Sequence, residues 1–173
     1  VDTGSDDKTK KIAQGYTDKI YDFPWRDDFS AARNYALDQG SGDYLMWLDA
    51  DDVVPEESIR RIRALKEKLP PDTDVEFDEE GKAVFSYYRE RIVKNRRNLR
   101  FKGKVHEAIP ISGKIFYADI PVEHRKMKWE DSWRNLRIYQ KMEKNGETMD
   151  SRSLYYYGRE LLFHGEYEKG KEL

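Results

Sequence analysis

Tyr44-Leu-Met-Trp-Leu48 runs directly into Asp49-Ala50-Asp51-Asp52. The first five residues are apolar or aromatic and predict a buried strand. The next four set three carboxylates at its C-terminal end. Open α/β sheets bind their ligands at that edge, and acids crowded together repel one another unless a cation offsets the charge. Hard divalent cations such as Mg²⁺ or Mn²⁺ take oxygen ligands, commonly one or two carboxylates with phosphate and water. The stretch therefore reads as a metal–phosphate site. A plainer reading stands beside it: an acidic turn in which Asp52 caps a helix starting near Pro55.

Bulk properties narrow the class. The 173 residues suffice for one domain with a sizeable core, or for one domain and the start of another. Charged residues make up 38% yet balance to −2, which gives no electrostatic case for nucleic acid or for an anionic membrane. The absence of cysteine excludes disulfides and thiolate metal sites. A cytoplasmic protein is expected, with a peripheral position at the membrane as the variant of that expectation.

Outward from the acidic stretch, Val1-Asp2 and Lys19-Ile-Tyr21 read as strand pieces. Between them lies a helix bearing Ile12, Ala13 and Tyr16, with Ser5 as its cap. Asp27 or Asp28 should cap a second helix ending near Gln39, with Gly40 as its left-handed stop. The resulting β-α-β-α-β order predicts a parallel sheet with right-handed crossovers. A third helix is expected from Pro55 to Leu69, its apolar stripe Ile59, Ile62, Leu65 and Leu69, stopped by Pro70-Pro71. Val75–Phe77, a turn at Glu80-Gly81 and Ala83–Tyr88 read as a hairpin. The basic run Arg91, Lys94, Arg96, Arg97, Arg100, Lys102 and Lys104 reads as a solvated face or an attractor of phosphate. His106 and His124 fall at strand ends, where a hydrogen-bonding role is commoner than ligation. From Trp129 onward the pattern is helical, with helices to about Lys144 and over Arg152–Phe163.

Taken in order, Val1-Asp-Thr-Gly-Ser-Asp-Asp7, Asp28-Phe-Ser-Ala-Ala-Arg-Asn34, Gly42-Asp-Tyr-Leu-Met-Trp-Leu-Asp-Ala-Asp-Asp52 and Gly103-Lys-Val-His-Glu107 resemble family 2 glycosyltransferases of the GT-A fold. The likeness is to bacterial members that append tetratricopeptide-like helices to the catalytic domain. It implies an α/β, Rossmann-like nucleotide-diphospho-sugar transferase sheet over residues 1–125, followed by a helical hairpin over 126–173 that begins a tetratricopeptide-like tail. It also implies an N-terminally incomplete sheet, the family's first strand and helix lying before Val1.

The resemblance further implies roles. Asp2, Arg33, Asn34 and Asp49 are expected to contact the nucleotide or its diphosphate. Asp51 and His124 are expected to hold Mn²⁺ or Mg²⁺, and Glu107 to act as catalytic base. In His124's neighbourhood the family's aromatic-glycine continuation is replaced by Arg125-Lys-Met. The implied reaction moves a sugar, with inversion, from a nucleotide-sugar donor to an acceptor hydroxyl of a glycan, a lipid-linked sugar or a protein. The competing expectation is an inactive glycosyltransferase-like domain that binds a protein partner through its helical tail. A metal-dependent phosphatase is weaker, for want of a convincing nucleophile.

Overall fold

Residues 1–68, 74–77, 89–96, 99–110, 113–125 and 132–173 are those that the computed structural model describes. Leu69, the Pro70-Pro71 stop, the Glu80-Gly81 turn, the strand Ala83–Tyr88, Arg97 and Trp129 lie outside them. Contacts divide the chain into two units. One comprises Gly40–Arg100 and Ile109–Glu130; the other comprises Val1–Gln39, Phe101–Ala108 and Asp131–Leu173. The segment 101–108 and the helices after residue 131 belong to the same unit as the first 39 residues.

The unit holding the acidic stretch is built on a four-stranded sheet. Strand β1 (Tyr44–Met46) is flanked by β4 (Arg89–Lys94), then β3 (Asp74–Phe77), then β5 (Ile115–Ala118). Leu45 and Trp47 are buried, while Tyr44 and Met46 pack against Ile92, Ala118 and Ile120. Side chains on both faces of the strand are thus covered, which is why it reads as an unbroken apolar run rather than an alternating one.

The expected parallel surroundings of this strand are corrected. β1 pairs antiparallel with β4 in the register Tyr44↔Lys94, Leu45↔Val93, Met46↔Ile92, and β3 is also antiparallel to β4. Among the described residues the parallel strand pair is β3 with β5. Residues ahead of β1 supply one isolated parallel bridge, Asp2↔Asp22, in place of two strands. Lys19-Ile-Tyr21 is too short an apolar run to continue it, and Pro24 soon follows.

A helix, α3 (Glu56–Lys68), lays Ile62 and Leu65 on that sheet. Glu56 and Glu57 fall in the first turn and Lys66 and Lys68 in the last, as the helix dipole favours. Ile59 departs from the expected stripe and is exposed. Two residues of β2 (Asp52–Val53) pair antiparallel with β6 (Glu123–His124), placing Asp52 opposite His124.

The other unit is helical. Its first helix, α1 (Thr9–Gln14), is short and bears no buried residue. Ile12 and Tyr16 are exposed, so the predicted apolar face is bare. Ser5 does not cap it; the Ser5 amide donates instead to Asp2, and Asp7 accepts from the Thr9 amide. Helix α2 (Phe29–Asp38) is capped by Asp28, whose Oδ1 accepts from the Ala31 amide at 2.8 Å. Its C-cap residue, Gln39, is right-handed, and Gly40 is not left-handed.

Helices α4 (Arg134–Lys144), α5 (Ser151–Phe163) and α6 (Tyr167–Glu172) complete the unit. Leu136, Ile138, Tyr139 and Met142 of α4 meet Tyr157 and Leu161 of α5, and Val105 of the 101–108 segment is buried in the same cluster. Asp150 caps α5 through the Ser153 amide, and Gly146, at φ 67°, ends the turn after α4. Close approach of α5 to α6 depends on Gly170, where an added Cβ would lie 3.1 Å from Leu162.

Candidate functional site

The acidic turn is shaped by the residue not expected to act. Asp52 has no exposed side-chain surface and is paired with Arg91, itself 2% exposed. Arg91 Nη1 approaches Oδ2 at 2.5 Å and Nη2 approaches Oδ1 at 3.3 Å. The guanidinium also lies 4.4 Å from the ring centroid of Trp47, a cation–π arrangement. Oδ2 further accepts from the Asp49 amide at 2.7 Å, while the Asp52 amide donates to the Asp49 carbonyl at 3.1 Å. Asp49-Ala50-Asp51-Asp52 is thus closed on itself by one carboxylate. Burial pushes the Asp52 carboxyl up, but the Asp49 amide, the Arg91 charge and His124 together outweigh it and hold it below its ordinary value.

Asp52 therefore does not cap the helix after Pro55. Arg91, read as part of a solvated or phosphate-attracting run, is a buried counter-ion. Nothing in the sequence distinguishes it from its neighbours except its place inside the apolar β4 pattern beside Ile92 and Val93.

Asp51 and His124 come together at this turn. His124 Nδ1 lies 3.2 Å from Asp52 Oδ1, and its Nε2 lies 3.5 Å from Asp51 Oδ2. The Arg125 amide donates to the Asp51 carbonyl at 2.8 Å, holding β6 against the turn. One ligand atom each from Asp51, Asp52 and His124 falls within 4.8 Å of the others. Two carboxylates and an imidazole suit a borderline-hard cation such as Mn²⁺. With Asp52 engaged by Arg91, the Asp51 carboxylate and His124 Nε2 are the donors best placed to turn to an ion. Asp52 stands behind the imidazole at Nδ1, where carboxylates commonly orient a histidine ring that could take a metal. Asp49 contributes its main chain to the turn and is not in this ligand group.

In the helical unit, Arg33 of α2 meets Glu107: Nε contacts Oε1, with the two side chains 19% and 9% exposed. Arg33 also lies 5.3 Å from the Phe101 ring, so it is not the solvated helix charge that a lone arginine usually is. Asn34 is engaged at both ends of its amide, donating to the Phe101 carbonyl at 3.0 Å and accepting from the Phe101 amide at 2.8 Å. Its observed work is to hold the 101–108 segment to α2. A further tie runs from the Phe29 amide to the Lys104 carbonyl at 2.9 Å.

Asp2 is buried. Its Oδ2 accepts from the amides of Gly4 and Ser5, both at 3.0 Å, and lies 3.9 Å from Lys10 Nζ. The Ser5 hydroxyl, and then these amides and Lys10, outweigh burial and lower the Asp2 carboxyl.

The family model for "Glycosyl transferase family 2" matches residues 1–151. A TPR repeat-containing protein of Synechococcus elongatus is 34% identical over 111 residues, which cover 63% of this chain and 28% of that protein. The chain thus spans little more than a quarter of that relative. Among solved structures, a crystal structure of S. aureus TarS 1-349 in complex with UDP-GlcNAc matches with a TM-score of 0.46 and 12% identity, covering 95% of this chain and 62% of that one. At that score and identity the likeness fixes neither fold nor ligand.

Proposed function

The chain belongs to glycosyl transferase family 2, and from that premise we propose that it serves a metal-dependent, inverting transfer of a sugar from a nucleoside-diphospho-sugar to an acceptor hydroxyl. The observation that carries the proposal is the acidic turn at the end of β1. There Asp51 and His124 converge as oxygen and nitrogen donors on a frame set by Asp52 and Arg91. When bound there, a divalent cation supplies positive charge to the diphosphate leaving group.

The chain's own groups do the rest. Asp51 and His124 hold the cation; Asp49, at the start of the turn, is assigned to the nucleotide. Asp2 is assigned to the nucleotide as well, fixed by the Gly4 and Ser5 amides. Glu107 takes the proton from the acceptor oxygen as it attacks the anomeric carbon from the face opposite the diphosphate. Arg33 pairs with Glu107, holding its carboxylate in one orientation and offsetting its burial.

Replacing Glu107 with Gln keeps the shape and removes the proton acceptor. Turnover on nucleotide-sugar plus acceptor is expected to fall ~10²-fold or more with donor affinity nearly unchanged. Near-normal transfer by Glu107→Gln would move the role to another acid, with Asp119 and Glu123 next.

A further inference from the structure

His106, immediately before Glu107, has φ 51°, a left-handed conformation that only a few per cent of non-glycine residues adopt, asparagine, aspartate and histidine more often than the rest. Gly103, at φ 92°, opens the same loop, and its ends are closed by Lys102 and Ala108, whose amides donate to each other's carbonyls at 2.9 and 3.2 Å. The chain therefore turns sharply just where the Glu107 side chain departs. Helix α5 supplies three contacts to this one residue. Arg152 donates from Nε and Nη2 to the His106 carbonyl, both at 3.3 Å. Tyr156, one turn on, stacks on the imidazole with centroids 4.1 Å apart and planes 18° apart. Glu160, a further turn on, lies 3.3 Å from His106 Nε2 through Oε1, which also accepts from Asn135 of α4 at 3.2 Å.

The spacing 152, 156, 160 is one helix face, so a single stripe of α5 grips backbone, ring and ring nitrogen together. Arg152 also lies 5.0 Å from the Tyr156 ring centroid, linking two of the three. Val105, next to His106, is buried between α4 and α5.

We propose that Arg152, Tyr156 and Glu160 are positioning residues. They clamp His106 in its left-handed conformation and so aim Glu107, making the C-terminal helical pair a part of the catalytic apparatus rather than an appended module. The proposal rests on the reading of Glu107 as the base.

Two measurements on the full chain separate the clamp from that reading. Amide hydrogen exchange over residues 103–108 reports the clamp: Arg152→Ala is expected to speed it about tenfold, and Arg152→Lys, which still donates to the carbonyl, to restore part of the protection. Release of nucleoside diphosphate from nucleotide-sugars with Mn²⁺ and an added sugar acceptor reports the consequence. Arg152→Ala is expected to lower kcat about tenfold with donor KM and Tm little changed. His106→Asn and His106→Val both delete the ring but differ in their tolerance of positive φ, so Val is expected to lose at least fivefold more turnover than Asn. Unchanged exchange in Arg152→Ala overturns the clamp. Faster exchange with unchanged kcat, or equal turnover of the Asn and Val variants, overturns its link to Glu107. Normal turnover in Glu107→Gln would instead remove the reading of the base, with hydrogen exchange still deciding the clamp.

Discussion

Asp52 carries a carboxylate with no exposed surface, set against an arginine that is itself 2% exposed, while Asp51 beside it keeps 26% of its side chain accessible. The two should fail differently. Asp51→Asn is expected to leave the fold nearly intact and to lose metal-dependent nucleotide binding. Asp52→Asn leaves Arg91 buried beside an uncharged partner and is expected to destabilise the protein by about 3–5 kcal/mol, read as a lowered midpoint in urea. Three acids at a strand end were legible in the sequence as one cluster. Their division of labour was not, because it depends on the pairing of Asp52 with Arg91, 39 residues away in the chain. His124 was likewise legible only through family likeness. What places it is the register Asp52↔His124 between two-residue strands, too short to leave any periodic signal.

Among the elements, the helices with buried stripes were the most readable. α4 and α5 end within a residue or two of where periodicity and Gly146 put them, because each has a face to bury. α1 had a pattern too, but Ile12 and Tyr16 are exposed among the described residues. The segment 101–108 shows the opposite case. It has no regular structure to predict, yet it is fastened through Asn34 to α2 and through Val105 to the helical core. Asn34→Ala removes two hydrogen bonds to the Phe101 main chain and is expected to cost about 1–3 kcal/mol, with faster amide exchange at Phe101. If nucleotide affinity falls instead while stability holds, Asn34 contacts the donor as the family resemblance implies.

Across the whole molecule, the lowered carboxyls set a direction for acid stability. Asp2 and Asp52 both lie below their ordinary value of 3.8, so the unfolded chain binds protons first as the pH drops. Their contribution is complete above that ordinary value and is lost as pH falls through their lowered values in the folded state. The urea midpoint should be flat near neutrality and fall below about pH 4, less steeply in Asp52→Asn. Among the described residues no helix is long and apolar enough to cross a membrane. The family was legible from four short motifs in order, and the match over residues 1–151 shows it. The strand pairing around β1 was not, since β-α-β order in a sequence does not reveal that a later strand will lie antiparallel beside the first. The central claim, a cation-dependent nucleotide site at Asp51 and His124, is tested most directly by calorimetric titration of nucleoside diphosphate with and without Mn²⁺, on the native chain and on Asp51→Asn. The account predicts binding that Mn²⁺ strengthens in the native chain and leaves unchanged in Asp51→Asn; an equal Mn²⁺ effect in both proteins would contradict it.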